Sequence, residues 1–263
     1  MTTFNPIYSP SAQRGRLQTI KLLFLATLTA IGVLLLTGRQ AAPAFVPDGL
    51  TAAEWESIQN QIAAAEYRVT PDGDAAYTAP NQAQGWTAQF NADGAQVTNG
   101  DWTWSLVPTG YGYSDAAIEL TELQNLSTLN DTVTYQWDAN LSEWWLNSPN
   151  GLEQGFTVQE RPGQAQGQPL RINMAVSGSL TPVMDNGDVL FQDANGETIL
   201  RYDRLHVVDA NGQQVPAQLK LSVDSPFTIH HSPFTIQIVI DDAHAAYPLT
   251  IDPWLQQAKL TAS

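Results

Sequence analysis

Tyr247-Pro248-Leu249-Thr250-Ile251-Asp252-Pro253-Trp254 is the stretch on which the fold turns. Leu249 to Ile251 has strand character and is held between two prolines. Proline supplies no ladder donor, so the segment predicts a brief final strand on a sheet edge. Working back from it, the chain reads as strands as far as Trp86. Trp86 to Phe90 alternates, Asn91-Ala92-Asp93-Gly94 turns it into Ala95 to Val97, and Asn99-Gly100 turns again into Trp102 to Leu106. Alternation sets Trp102, Trp104 and Leu106 on one face. Ile118 to Leu120, Val133 to Trp137, Leu152 to Val158, Leu170 to Val176, Val189 to Phe191 and Ile199 to Tyr202 continue the pattern.

Asp193-Ala194-Asn195-Gly196 and Asp209-Ala210-Asn211-Gly212 are identical turns, and Asp185-Asn186-Gly187 is a close cousin. Asn-Gly accepts the positive φ values of tight hairpins, and short strands joined this way indicate antiparallel sheets. Ser225-Pro-Phe-Thr-Ile229 recurs as Ser232-Pro-Phe-Thr-Ile236. An odd offset flips strand faces, so only Phe234 to Ile240 is expected in a sheet, with His230-His231 at a turn. The fold class is therefore mostly β: an antiparallel β-sandwich, as one or two packed sandwiches, spanning 67–255 with a candidate subdivision near 149.

Before that body, Thr51-Ala52-Ala53-Glu54 is a capping-box pattern opening a helix over about 51–65. Trp55, Ile58 and Ile62 share one helical face, which predicts docking on the later sheets and makes 45–66 a helical lead-in. Residues 1–44 read as an address. Leu22 to Gly38 carries no charge, Arg14, Arg16 and Lys21 precede it, and Ala42-Pro43-Ala44 follows as a small-residue cleavage site. A signal peptide or an uncleaved signal anchor fits, since 17 apolar residues are a short membrane span. Either way the body is expected outside the cytoplasm, secreted or at the cell surface, with membrane contact only through this segment.

Composition narrows the partners. Of 263 residues 14% are charged, the net charge is −15, and cysteine is absent, so no disulfide or thiolate metal site can form. Beyond residue 44 only 7 basic residues face 26 acidic ones, a net of −19. Such a body repels nucleic acid, which excludes that class of partner.

Catalytic and metal motifs are sparse. His206, His230, His231 and His244 lack the spacing of zinc sites, and Asp193-Ala-Asn195-Gly-Glu197 falls short of a calcium loop. Neither a nucleophile elbow nor a phosphate loop is present. No catalytic residue, metal ligand or cofactor is expected, and the chain reads as not an enzyme. The aromatic residues Trp102, Trp104, Tyr111, Tyr113, Trp144 and Trp145 are the remaining candidates. Their first reading is core filling; their second is a sugar-binding platform, since Trp144-Trp145 must send one ring to each face of a strand.

Gly151-Leu-Glu-Gln-Gly-Phe-Thr-Val158, Pro169-Leu-Arg-Ile172, Asp188-Val-Leu-Phe191, Val215-Pro216 and Tyr247-Pro-Leu-Thr-Ile-Asp-Pro253 occur in that order. Together they resemble the β-rich N-terminal domain that precedes FG-GAP (integrin-α-like) or SBBP propeller repeats in large secreted bacterial proteins. The likeness covers roughly Gly85 to Ser263, and residues 256–263 resemble the lead-in to a first FG-GAP blade. No F-G…G-A-P segment or D-x-D-x-D-G loop follows, so the propeller's adhesive and calcium-binding roles do not transfer. The chain is read as a severed N-terminal domain or a stand-alone paralogue. The resemblance implies an exported, non-catalytic module, structural or adhesive, whose partner is a downstream β-propeller, a surface protein or a glycan. A carbohydrate-binding module using the Trp/Tyr-rich face is the alternative. A glycoside-active enzyme is the further alternative, requiring two convergent carboxylates.

Overall fold

Period-two alternation decides most of what this chain becomes. The computed structural model describes residues 46–113, 117–223 and 234–257. Residues 1–44, the Ser225–Ile229 copy of the repeat, His230-His231 and the tail beyond Gln257 lie outside the described residues. The chain divides into two units, 1–56 and 57–263.

In the first unit, Thr51 caps helix α1 (Ala52–Glu66), which runs on into the second. The Glu54 amide donates to Thr51 Oγ1 at 3.3 Å and the Thr51 amide donates to the Glu54 carboxylate at 2.8 Å. The Thr51 amide, and then the Thr51 hydroxyl, which also donates to this carboxylate, hold the Glu54 carboxyl below its usual range. Along the apolar stripe of α1, Trp55 and Ile58 are half-buried and Ile62 is 54% exposed. No described helix is long and apolar enough to cross a membrane.

In the second unit the chain lays down two antiparallel sheets by moving between them. A meander of β1 (Thr70–Pro71), β2 (Tyr77–Asn81), β3 (Trp86–Asn91), β4 (Gly94–Thr98), β5 (Thr103–Gly112) and β6 (Ile118–Glu119) starts the first sheet. A second meander, β7 (Asn125–Leu129), β8 (Thr132–Gln136), β9 (Leu141–Ser148) and β10 (Gly151–Val158), starts the other. The chain then returns to the first sheet as β11 (Leu170–Gly178) and to the second as β12 (Thr181–Asp185), β13 (Asp188–Gln192) and β14 (Thr198–Val208). It crosses once more, with β15 (Ala217–Val223) and β16 (Phe234–Ile240) in the first sheet and β17 (Leu249–Gln257) in the second. The orders are β1-β2-β3-β4-β5-β11-β16-β15, with β6 also on β5, and β12-β13-β14-β17-β10-β9-β8-β7.

The result is one sandwich, and residues 149–150 are the turn of the β9–β10 hairpin rather than a boundary, since Ser148 pairs with Gly151. Rings from both sheets interlock in its core. Trp104 of β5 meets Trp145 of β9 edge-on at 6.5 Å and Phe191 of β13 at 5.4 Å. Edge-to-face contacts add to the area these rings bury. A buried amide relay also joins the sheets. Asn81 Nδ2 donates to Asn147 Oδ1 at 2.8 Å, Asn147 Nδ2 to the Tyr67 and Pro80 carbonyls, and the Gln257 amide to Gln84 Oε1 at 2.8 Å. The β12–β13 turn has Asn186 and Gly187 at φ 51 and 98, as the Asn-Gly pair implies.

The final strand departs from its expectation. β17 spans nine residues, runs through Pro253, and lies between β14 and β10 at the centre of its sheet, not on an edge. A bulge accommodates the proline. Asp203 pairs with Trp254 and His206 with Asp252, so Arg204 and Leu205 together face Pro253, and Arg204 takes a φ of 56. A bulge leaves a local gap in the ladder, which is where a residue without an amide hydrogen fits in a central strand. Gln256 and Gln257 close this strand.

Candidate functional site

The alternation that builds the sheets also sorts the candidate aromatics. Trp104 and Tyr111 of β5 and Trp145 of β9 are buried, as are Trp102 and Tyr113, which flank the two ends of β5. This removes five of the six residues as a sugar platform. Two of them are spent on inner bonds: Tyr111 donates to Asp138 at 2.9 Å, and Tyr113 donates to buried Asp242. Burial first, then the Asp138 bond, pushes the Tyr111 phenol up to about 12.

Trp144 alone of the six is half-buried on the outer face of the second sheet. Its strand neighbour across the ladder is Gly155 of β10. A Cβ on Gly155 would lie 1.9–2.5 Å from three atoms of the indole, so the ring occupies the space directly over that glycine. Between the Glu153–Trp254 and Phe156–Ile251 pairs, the β10–β17 ladder carries Gly155 and Asp252. Asp252 and Trp254 are half-buried, as is Glu153. The indole therefore shares the outer face of the sheet with Glu153, Asp252 and Trp254.

The two carboxylates come from neighbouring strands as diagonal neighbours across the β10–β17 ladder. Burial first, then the Asp252 charge, pushes Glu153 up to about 7, so the pair holds a proton that separate carboxyls would have lost. Arg204 lies over the Trp254 ring at 5.7 Å and donates to Gln256 at 3.1 Å. His206, exposed on β14, pairs with Asp252 across the ladder. Among the described residues no group of three His, Asp or Glu side chains is arranged to hold a metal ion. Asp193 is spent on its turn, accepting the Asn195 and Glu197 amides at 3.0 and 2.8 Å, bonds that lower its carboxyl.

Substituting Gly155 by alanine tests how the ring is seated. Glycine weakens a strand interior, so alanine would ordinarily stabilise it. Here the new methyl should eject the Trp144 ring, giving a red-shifted, more quenchable tryptophan emission with no gain in stability. An unchanged spectrum would show that the ring is not held over this glycine.

Two polar clusters were not anticipated from sequence. Glu143 is 1% exposed and faces the core beside Trp145. Its carboxylate accepts from Trp137 Nε1 at 2.9 Å, Trp145 Nε1 at 2.8 Å and Gln154 Nε2 at 2.7 Å. Gln154 in turn accepts from the Tyr202 hydroxyl. Asp242, also 1% exposed, accepts from Tyr113, Tyr247, Arg161 and the Leu170 amide. Glu143 had a readable signal, lying midway between Leu141 and Trp145 on the inward period; Asp242 had none, because its partners come from four separate segments.

Fold and surface together define a two-sheet antiparallel β-sandwich with an aromatic and acidic outer face. Neither a protein-family model nor a curated protein matches the chain.

Proposed function

We propose that this protein is an exported, non-catalytic adhesive module of the cell surface or extracellular space, and that it holds a saccharide on the outer face of its second sheet. The observation that carries this reading is the Trp144 ring over Gly155, on the outer face that also bears Glu153, Asp252 and Trp254. An indole face gives a sugar ring an apolar bed, and carboxylates accept from its hydroxyls. The apolar leader and the ordered resemblance to propeller-preceding domains support export and a surface setting.

Glycoside hydrolysis is less well supported by the same carboxylates. Two catalytic carboxyls stand about 5–10 Å apart, to leave room for the anomeric carbon or a water. Glu153 and Asp252 are instead diagonal neighbours on adjacent strands, close enough for the Asp252 charge to raise Glu153, which suits joint recognition of a diol.

Screening the full chain against immobilised neutral oligosaccharides should find a ligand, and Trp144→Ala should weaken it at least tenfold while the thermal midpoint stays near that of the wild type. Retained affinity in that variant would overturn the reading.

A further inference from the structure

The geometry points to a second ligand site, for a carboxylate-bearing polyhydroxy compound such as a uronic acid unit, in a cleft away from the Trp144 face. The cleft encloses about 700 Å³ beside the outer edge of the first sheet. The β10–β11 connection supplies Arg161 and Gln168, β15 supplies Gln218 and Lys220, and Asp241 follows β16. Of the 7 basic residues beyond residue 44, two therefore line one cleft, on a body whose net charge is −19. An anionic ligand finds few other favourable places on such a surface.

Arg161 is built to receive that ligand. Its Nη1 donates to Asp242 Oδ2 and, at 3.0 Å, to the Tyr113 hydroxyl, while Nη2 donates to the Asp242 carbonyl at 2.7 Å. Tyr247 packs its ring 5.1 Å from the guanidinium carbon. These contacts direct the end of the fork inward and fix the side chain's rotamer. They occupy three of its five N–H groups and leave the Nε–H with one Nη2–H, the side-on pair that matches both oxygens of a carboxylate. The side chain remains 31% exposed, so this pair is within reach of the cleft.

The other groups refine the ligand class. Lys220 adds an exposed point charge. Asp241, also exposed, opposes a doubly charged anion but accepts from hydroxyls. Gln168 and Gln218 offer amides of both polarities. One carboxylate on a polyol satisfies all of these; a phosphate satisfies the cations alone. Because the cleft and the Trp144 face share no residue, either site can fail without the other.

Calorimetric titration of the full chain with galacturonate oligomers, neutral galactose oligomers and inorganic phosphate tests the assignment. Uronate should bind at least tenfold more tightly than either comparator. Lys220→Glu should weaken uronate at least tenfold with the thermal midpoint unchanged. Arg161→Lys, which keeps the charge but loses the fork, should weaken it severalfold, and Trp144→Ala should leave it intact. Equal affinity for the neutral oligomer or for phosphate, or uronate binding indifferent to Lys220→Glu, would overturn the proposal.

Discussion

Replacing Glu143 by leucine should destabilise the sandwich by roughly 3–5 kcal/mol at pH 5, read as a fall in the urea midpoint with an unchanged slope. The carboxyl sits in the core and serves three donors, Trp137 Nε1, Trp145 Nε1 and Gln154 Nε2. Leucine fills much of the volume but leaves all three unpaired, at about 1–3 kcal/mol each. Part of that loss is offset because a buried carboxyl, itself poorly solvated, is removed. Glutamine is the sharper probe. It can accept from two donors with its oxygen, but its NH₂ then faces an indole N–H that cannot accept. Glu143→Gln should therefore cost about 1–3 kcal/mol despite its near-identical shape. A glutamine variant as stable as the wild type would remove the indole pair from the account.

The same carboxyl should make stability depend on pH. Burial pushes Glu143 up from 4.5 to about 7, against the opposing pull of its three hydrogen bonds. Between those values the folded protein holds a proton that the unfolded chain has released. Stability must then fall as pH rises from about 4.5 to 7 and level off above. The whole step is on the order of 3 kcal/mol, since each tenfold difference in proton affinity between the two states is worth about 1.4 kcal/mol. The penalty of Glu143→Leu should accordingly shrink toward pH 8. The half-buried Glu153, raised to about 7 by burial and by Asp252, contributes in the same direction. Glu143→Gln should thus flatten the slope without abolishing it.

How far such features could be read in advance depends on the range of the interaction behind them. Strands set by local alternation lie close to their expected places. Val189 to Phe191 falls inside β13, Leu152 to Val158 within β10, and Phe234 to Ile240 is β16. The capping box at Thr51 and the Asn186-Gly187 turn are equally local and equally legible. Pro253 was misleading because the bulge that tolerates it belongs to another strand, at Arg204 and Leu205. No periodicity within β17 announces that. The aromatics failed as a site for a related reason. Their density in sequence says nothing of facing, whereas their parity along β5 and β9 sends Trp104 and Trp145 inward and only Trp144 outward. Its seat over Gly155 depends on cross-strand register, as does the meeting of Glu153 with Asp252.

Asp242 should prove the other costly position, at about 3 kcal/mol for alanine. Breaking a buried ion pair by removing one partner costs roughly 3–5 kcal/mol, and the lower end applies because Arg161 can rehydrate. Asp242 fastens four segments where no ladder joins them all: Tyr113 after β5, Arg161 after β10, Leu170 opening β11, and Tyr247 before β17. Asparagine separates charge from shape. Its oxygen can still accept the Leu170 amide, but its NH₂ replaces the oxygen that received Arg161, Tyr113 and Tyr247. The tyrosine hydroxyls can turn and accept; the guanidinium, with no acceptor, cannot. Asp242→Asn should therefore lie close to Asp242→Ala, whereas Tyr113→Phe and Tyr247→Phe should each cost only about 1 kcal/mol. Adding Arg161→Met to Asp242→Ala should cost less than the two separate losses, since the second change removes a cation already left without its partner. Chemical denaturation of the five single variants, Arg161→Met included, and of the double variant decides this. An asparagine variant within about 0.5 kcal/mol of the wild type would mean that the guanidinium is not held by this carboxylate. The fixed fork on which uronate recognition depends would then be lost with it.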